Sequence, residues 1–258
     1  MFVRSRALPA VLAMAVMVSA CGADSSTGPD ANQSATLDQA LSAFSNPAVA
    51  AAGTVFFDAG AATPALGLNR CPYAAASQSF VCTAFSSKGV SINQTFTLLT
   101  ASGAPQAAFD AATTNAINAK TTVVGTLNEN GTTVDIDGQQ NMTLSGLIAG
   151  PRTLNGTSST KVKGVIADIF GSSALDATLT TTITNLVIPN KTAAGAKPWP
   201  SSGTIVVEST GSVGGAAIAT IRIAMDFSGT STVNVSRTGP GGTQTCKMDL
   251  AKPELGCQ

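Results

Sequence analysis

Residues 175–188 read LDATLTTTITNLVI. Leu175, Ala177, Leu179, Ile183 and Val187 fall on one side of a period of two, and Thr178, Thr180, Thr182 and Thr184 fall on the other. Successive side chains of a strand point to opposite faces. The stretch therefore predicts a β-strand with an apolar face turned to a core and a threonine face turned to water.

The same period recurs on both sides of it. Upstream, strands are predicted at Thr54–Asp58, Ala76–Phe85, Val90–Thr100, Lys120–Leu127, Thr132–Asp137, Met142–Ile148 and Thr157–Ile166. Downstream they are predicted at Thr204–Glu208, Ala217–Phe227, Thr232–Arg237 and Thr243–Leu250. Turn chemistry separates them: Ser86-Ser-Lys-Gly89, Asn130-Gly131, Gly150-Pro151, Gly214-Gly215 and Gly239-Pro-Gly-Gly242. Asn-Gly supplies the positive φ angles that a tight hairpin needs.

Two short helices are expected beside the strands. Thr36-Leu-Asp-Gln39 has capping-box spacing and is followed by Leu37, Leu41 and Phe44 on one helical face. Ala108, Phe109, Ala111, Ala112 and Ile117 suggest a second helix within 105–118, and Asp168–Ser173 a helical turn. The fold class is thus mainly β, an antiparallel meander of about ten strands, since short links preclude parallel crossovers. It must become a barrel, a half-barrel or a sandwich to protect its edges.

The N-terminus carries different information. Arg4 and Arg6 precede an apolar run, Ala7–Val18, and small residues follow it. That is the grammar of an export signal, and the run is shorter than the roughly 20 residues of a membrane-spanning helix. Val18-Ser19-Ala20-Cys21 resembles the lipobox of bacterial lipoproteins. The resemblance covers only this N-terminal stretch, and it implies that Cys21 is acylated and becomes the first mature residue. Two or more acyl chains give stable attachment where one does not. Residues 1–20 would be the signal peptide, 21–34 a lipidated flexible tether rich in Gly, Ser and Asp, and 35–258 one β-rich domain. Gly22 at the next position, in place of Asp, points to the outer membrane.

Cysteine parity agrees. With Cys21 carrying lipid, Cys71, Cys82, Cys246 and Cys257 remain, an even set suited to an oxidising compartment. The spacing within 71/82 equals that within 246/257, and two local disulfides are expected from it, other pairings being possible.

Composition excludes more chemistry than it suggests. The chain has 258 residues and no histidine, so Ser-His-Asp and Cys-His nucleophile systems and His-ligated metals are excluded. Only 11% of residues are charged, the net charge is zero, and no basic stripe offers itself to nucleic acid. Ser158-Ser-Thr-Lys161 matches Ser-x-x-Lys, yet it lies in a period-two stretch that puts the two side chains on opposite faces. Asp135 and Asp137 share a strand face and could contact an ion or ligand, with Lys161 and Lys163 as electrostatic partners. Arg222, with Asp226, lies on the polar face of a strand whose other face is Ala217, Ala219, Ile221, Ile223, Met225 and Phe227. If that polar face is concave, Arg222 is a ligand contact.

No catalytic residue, metal or cofactor is expected. The expected function is a non-catalytic envelope lipoprotein, anchored to the membrane by its N-terminal lipid, with a structural or binding role toward another envelope component. The alternative is a carrier or sensor of an apolar ligand. It would resemble, by architecture only, periplasmic lipid carriers, with the helices near Leu37 and Phe109 as a lid. A carboxylate-dependent hydrolase is a remote third reading.

Overall fold

The computed structural model describes residues 71–87, 89–129, 131–168, 171–189, 199–250 and 254–257. The expected signal peptide, Cys21, the tether, the helix near Leu37 and the strand at Thr54–Asp58 lie outside these residues.

The described chain forms one antiparallel sheet. Its long strands are β4 (Val90–Thr100), β6 (Thr114–Glu129), β7 (Thr132–Ser145), β8 (Arg152–Asp168), β9 (Gly171–Ile188), β10 (Ser202–Val213) and β11 (Ala216–Phe227). Shorter strands β12 (Thr232–Gly239) and β13 (Gly242–Asp249) follow. From β7 to β13 each strand pairs with its predecessor and its successor, and β6 pairs with β4, so the topology is a plain meander. The two ends of the sheet do not pair with each other. The expectation of a mainly β antiparallel meander is met, in the form of an open single sheet.

Both edges are covered by small elements. The outer edge of β4 takes three short partners: β2 (Ser79–Val81), β3 (Phe85–Ser87) and β5 (Pro105–Gln106). β1 (Tyr73–Ala74) pairs with β2, and a disulfide joins Cys71 just before β1 to Cys82 just after β2. At the far edge, β14 (Glu254–Cys257) covers β13. There Cys246 is disulfide-bonded, and its register partner is Cys257. Short, tethered edge strands deny a long unpaired template to another chain.

The hairpins follow their turn chemistry. Glu129 pairs with Thr132 around Asn130-Gly131, and Gly131 has φ 78°. Val213 pairs with Ala216 around Gly214-Gly215, both at positive φ. Ser87 pairs with Val90, and Gly89 has φ 83°.

Three expectations need correction. No helix occurs among the described residues. Within 105–118 the chain makes β5, a turn, and the start of β6. The turn is organised by Asp110: its Oδ1 accepts from the Ala112 amide at 2.8 Å, and its carbonyl accepts from Thr114 at 2.7 Å. A side chain that captures nearby amides competes with helix, and pairing of Thr114–Asn118 with β4 on one side overrides the alanine content. Phe109 is half-buried against the core, not part of a lid helix. Second, Asp168 and Gly171 pair with each other at a hairpin end in place of a helical turn. Third, the expected strands at Thr132–Asp137 and Met142–Ile148 are one strand, because Gly138–Asn141 are paired on both sides.

One face of the sheet is apolar and buried. Phe96, Leu98, Ile117, Met142, Leu144, Leu154, Ile183, Leu186, Ile205, Ile223, Met225, Val233, Val235 and Met248 belong to one cluster spanning most strands. A smaller cluster of Val134, Val162, Leu175 and Ala177, with Leu127 and Val213 against it, sits toward the opposite strand ends. The other face carries Thr, Asn, Lys, Asp, Glu and Arg. Large twisted open sheets curl, and glycines inside strands ease the bend. Gly164 shows this: it has φ 159°, and a Cβ there would lie 2.1 Å from the Thr133 carbonyl oxygen. Curling around the apolar face brings Leu98 and Met225 to 0% exposure.

Bulges reset which residues face inward. Leu154 pairs with Leu186 and Gly156 with Ile183, so Asn155 alone opposes Thr184 and Asn185. Asn185 takes φ 48°, and its amide donates to Asn155 Oδ1 at 2.7 Å. A bulge shifts the alternation by one, and Leu186 is buried in place of the expected Val187. A second bulge on β11 opposes Ala219 and Thr220 to Thr210. Ile218 therefore turns inward, and Ala217 and Ala219, expected on the apolar face, are exposed.

Candidate functional site

The charged residues singled out from sequence lie on the polar face. Asp135 and Asp137 are exposed, opposite Lys163 and Lys161 in register. Thr126 Oγ1 donates to Asp135 Oδ1 at 2.6 Å. Lys163 Nζ reaches Asp176 Oδ2 on β9 at 3.9 Å, with both side chains well exposed. The lysine partnership expected from spacing is therefore real in register, with Asp176 as an additional acid. Arg222 Nε lies 3.1 Å from Glu208 Oε1, its register partner on β10. Both residues are exposed, so the pair is a screened cross-strand ion pair. Asp226 is exposed four residues further along the same face. These groups lie on the face away from the buried cluster. Arg222 is exposed on that face and paired with Glu208. Among the described residues no group of three Cys, Asp or Glu is placed to hold a metal. Ser158 and Lys161 point to opposite faces of β8, half-buried and exposed respectively.

The apolar face offers a different feature. Between its two buried clusters many side chains are only half-buried, although Thr121 and Gly138 are buried. One row across the strands runs Ile92, Val123, Gly138, Thr160, Leu179, Ser209, Ile221. All but Gly138 are half-buried. The neighbouring row starts Gln94, Thr121, Gln140, Ser158, Thr181, and Gln94 Nε2 donates to Thr121 Oγ1 at 3.3 Å. These rows form a trough: hydroxyls, amides and a few aliphatic groups between two hydrophobic shoulders. Leu179 and Ile221 pack against the larger shoulder. At the β4 end, Phe85 pairs with Ile92 and is 62% exposed, the most exposed large apolar side chain of the described residues.

Gly138 makes part of the trough floor. Unlike Gly164, it has no positive φ, and a Cβ would meet Thr160 Oγ1 and the Val123 Cβ at 3.4 Å, close to ordinary contact. Backbone geometry does not require glycine there. The position is itself buried, beside Thr160 and Val123.

The second row continues through Val207 and Ile223 to Arg237 and Gln244. Arg237 alternates with Val233 and Val235, both buried, and so points to the apolar face. Its Nε is buried with no hydrogen-bond partner, and no ion pair reaches it among the described residues. Neither Arg237 nor Gly138 stood out as a site in the sequence. The signal for Arg237 was its place in the Val233, Val235, Arg237 alternation, a charge where the pattern calls for an apolar residue.

The chain matches no family model, no curated protein and no solved structure.

Proposed function

We propose that this chain is a lipid-anchored protein of the bacterial cell envelope, attached through Cys21 to the outer membrane, with a non-catalytic binding role. The observation that carries the reading is the apolar run ending in Val18-Ser19-Ala20-Cys21. The Cys71–Cys82 disulfide supports it, since such bonds persist in oxidising compartments. The polar face supports it as well. Lys120, Asp137, Lys161 and Glu208 sit within the spans of long strands, where a membrane-embedded barrel would present an apolar band to lipid. The lipid anchor is thus the membrane contact in this reading. The acidic and basic groups of the polar face are dispersed, exposed pairs, which suits a surface that solubilises and does not favour a carboxylate hydrolase.

Mass spectrometry of the mature protein tests the anchor. Wild type carries acyl mass on the peptide that begins at Cys21, and Cys21→Ala carries none. Acyl mass surviving the substitution defeats the proposal.

A second reading, carriage of an apolar ligand, is favoured by the half-buried trough across the apolar face. A carrier needs apolar surface that is neither filled nor fully wet, and the Ile92 to Ile221 row has that character. Its lid cannot be a helix at Phe109, which is strand and turn.

A further inference from the structure

We propose that the trough receives a long acyl chain with an anionic head group, and that Arg237 is the residue that binds the head. This deepens the carrier reading and rests on it.

The first observation is a buried, unpaired donor on a cationic side chain. Arginine stays protonated in proteins. Its guanidinium is normally matched by a carboxylate, a phosphate or several carbonyls when it is withdrawn from water. Arg237 emerges from a strand whose two inward neighbours are buried valines, and Ile223 flanks it on β11. Its Nε is buried and unpaired. The residue as a whole keeps partial exposure, and Gln244 on its other flank is exposed. Arg237 therefore stands at an opening of the apolar face, with its Nε turned away from water and without an acceptor among the described residues. A ligand anion would complete it.

The second observation is the row that crosses the apolar face on either side of the buried Gly138. Ile92, Val123, Thr160, Leu179, Ser209 and Ile221 all keep partial exposure there. Gly138 and Arg237 are five strands apart in the sheet, roughly 24 Å along it at about 4.8 Å per strand. A ligand that follows the row along the sheet to Arg237 is extended and chain-like. Charge at one end and aliphatic contact along the rest describe an amphiphile with one anionic head.

The test uses the full-length protein in nanodiscs, with empty nanodiscs subtracted. The probes are dansylamino-undecanoate and its uncharged methyl ester, followed by fluorescence. Wild type binds the acid at least about tenfold more tightly than the ester, as expected of a charge-assisted hydrogen bond made away from water. Arg237→Gln brings the acid to the affinity of the ester and leaves the ester unchanged. Gly138→Val weakens both probes. Equal affinity of wild type for acid and ester refutes the head-group assignment and leaves the carrier reading standing. Binding of neither probe refutes the carrier reading and the assignment with it. The wild-type comparison needs no variant to fold. As a separate check, Arg237→Met raises the urea midpoint of the ligand-free protein, because it removes a buried, unpaired donor; a lowered midpoint would make Arg237 a structural residue and overturn the proposal.

Discussion

Replacing Gly164 by alanine sets the curvature of the sheet against a single methyl group. Gly164 lies inside β8, paired with Val134 on β7 and Leu175 on β9. A Cβ at this position meets the Thr133 carbonyl oxygen at 2.1 Å and the Val134 Cα at 2.7 Å. Both are backbone atoms of a paired strand, so no side-chain rotation relieves the clash. The strand must move or take another φ. A non-glycine residue in such a backbone region is destabilised by about 1–3 kcal/mol. Displacing β8 from β7 also weakens one or two ladder hydrogen bonds, about 1 kcal/mol each. It disturbs Val134, Val162 and Leu175, which form the smaller cluster. The expected loss is about 3–4 kcal/mol, against about 5–15 kcal/mol for a typical domain. With a urea slope of about 2 kcal/mol per molar, the unfolding midpoint falls by roughly 1.5–2 M. Gly138→Ala on the adjacent strand is the control. Its Cβ makes contacts near 3.4 Å only, so its midpoint stays within about 0.5 M of wild type. Equilibrium urea unfolding followed by far-UV circular dichroism measures both. A Gly164→Ala midpoint equal to wild type would show that glycine is not what permits the bend at this strand crossing.

Two further outcomes concern the edge and the polar face. Removing the Cys71–Cys82 disulfide by a double serine substitution loosens the β1–β2 cover of β4 and lowers stability by about 3 kcal/mol in the chain-entropy model; the loss appears in urea unfolding without reductant, and an unchanged midpoint would contradict it. A double-mutant cycle on Glu208→Ala and Arg222→Ala gives a coupling of less than about 1 kcal/mol that fades in high salt, since both side chains are close to half exposed. A salt-insensitive coupling above that value would mean the pair is more desolvated than its surroundings indicate.

The legible part of the fold was the part written in local alternation. Val90–Thr100 is one strand in sequence and structure, because Val90, Ile92, Phe96 and Leu98 share one face and Gly89 closes the hairpin before it. Asn130-Gly131 likewise placed its turn. The illegible part lies where one residue changes the phase. Nothing in Thr184-Asn185-Leu186 announces that two residues will oppose Asn155 alone, yet that bulge exchanges Leu186 for Val187 in the core. Ala219-Thr220 does the same to Ile218 and Ala217. Gly138-Gln-Gln-Asn141 read as a break between strands, since it lacks apolar residues. It is continuous strand because neighbours on both sides supply its hydrogen bonds and because its inward positions line a trough where apolar side chains are not needed. The Ala-rich stretch before Ile117 read as helix, and strand pairing with β4 overrode it.

The sequence by itself determined the class of the fold, the polar chemistry of one face and the exclusion of histidine chemistry. These follow from residue identity and a period of two, which are local properties. It also carries the whole case for attachment at Cys21. Only the tertiary structure decided that the meander stays open, that short strands cover its edges, one pair of them flanked by the Cys71–Cys82 disulfide, and that Arg222 faces solvent while Arg237 alternates with buried valines. Those outcomes depend on bulges, register and curvature. Each is set by several strands at once, and a single strand's sequence does not contain the phase that its neighbours impose.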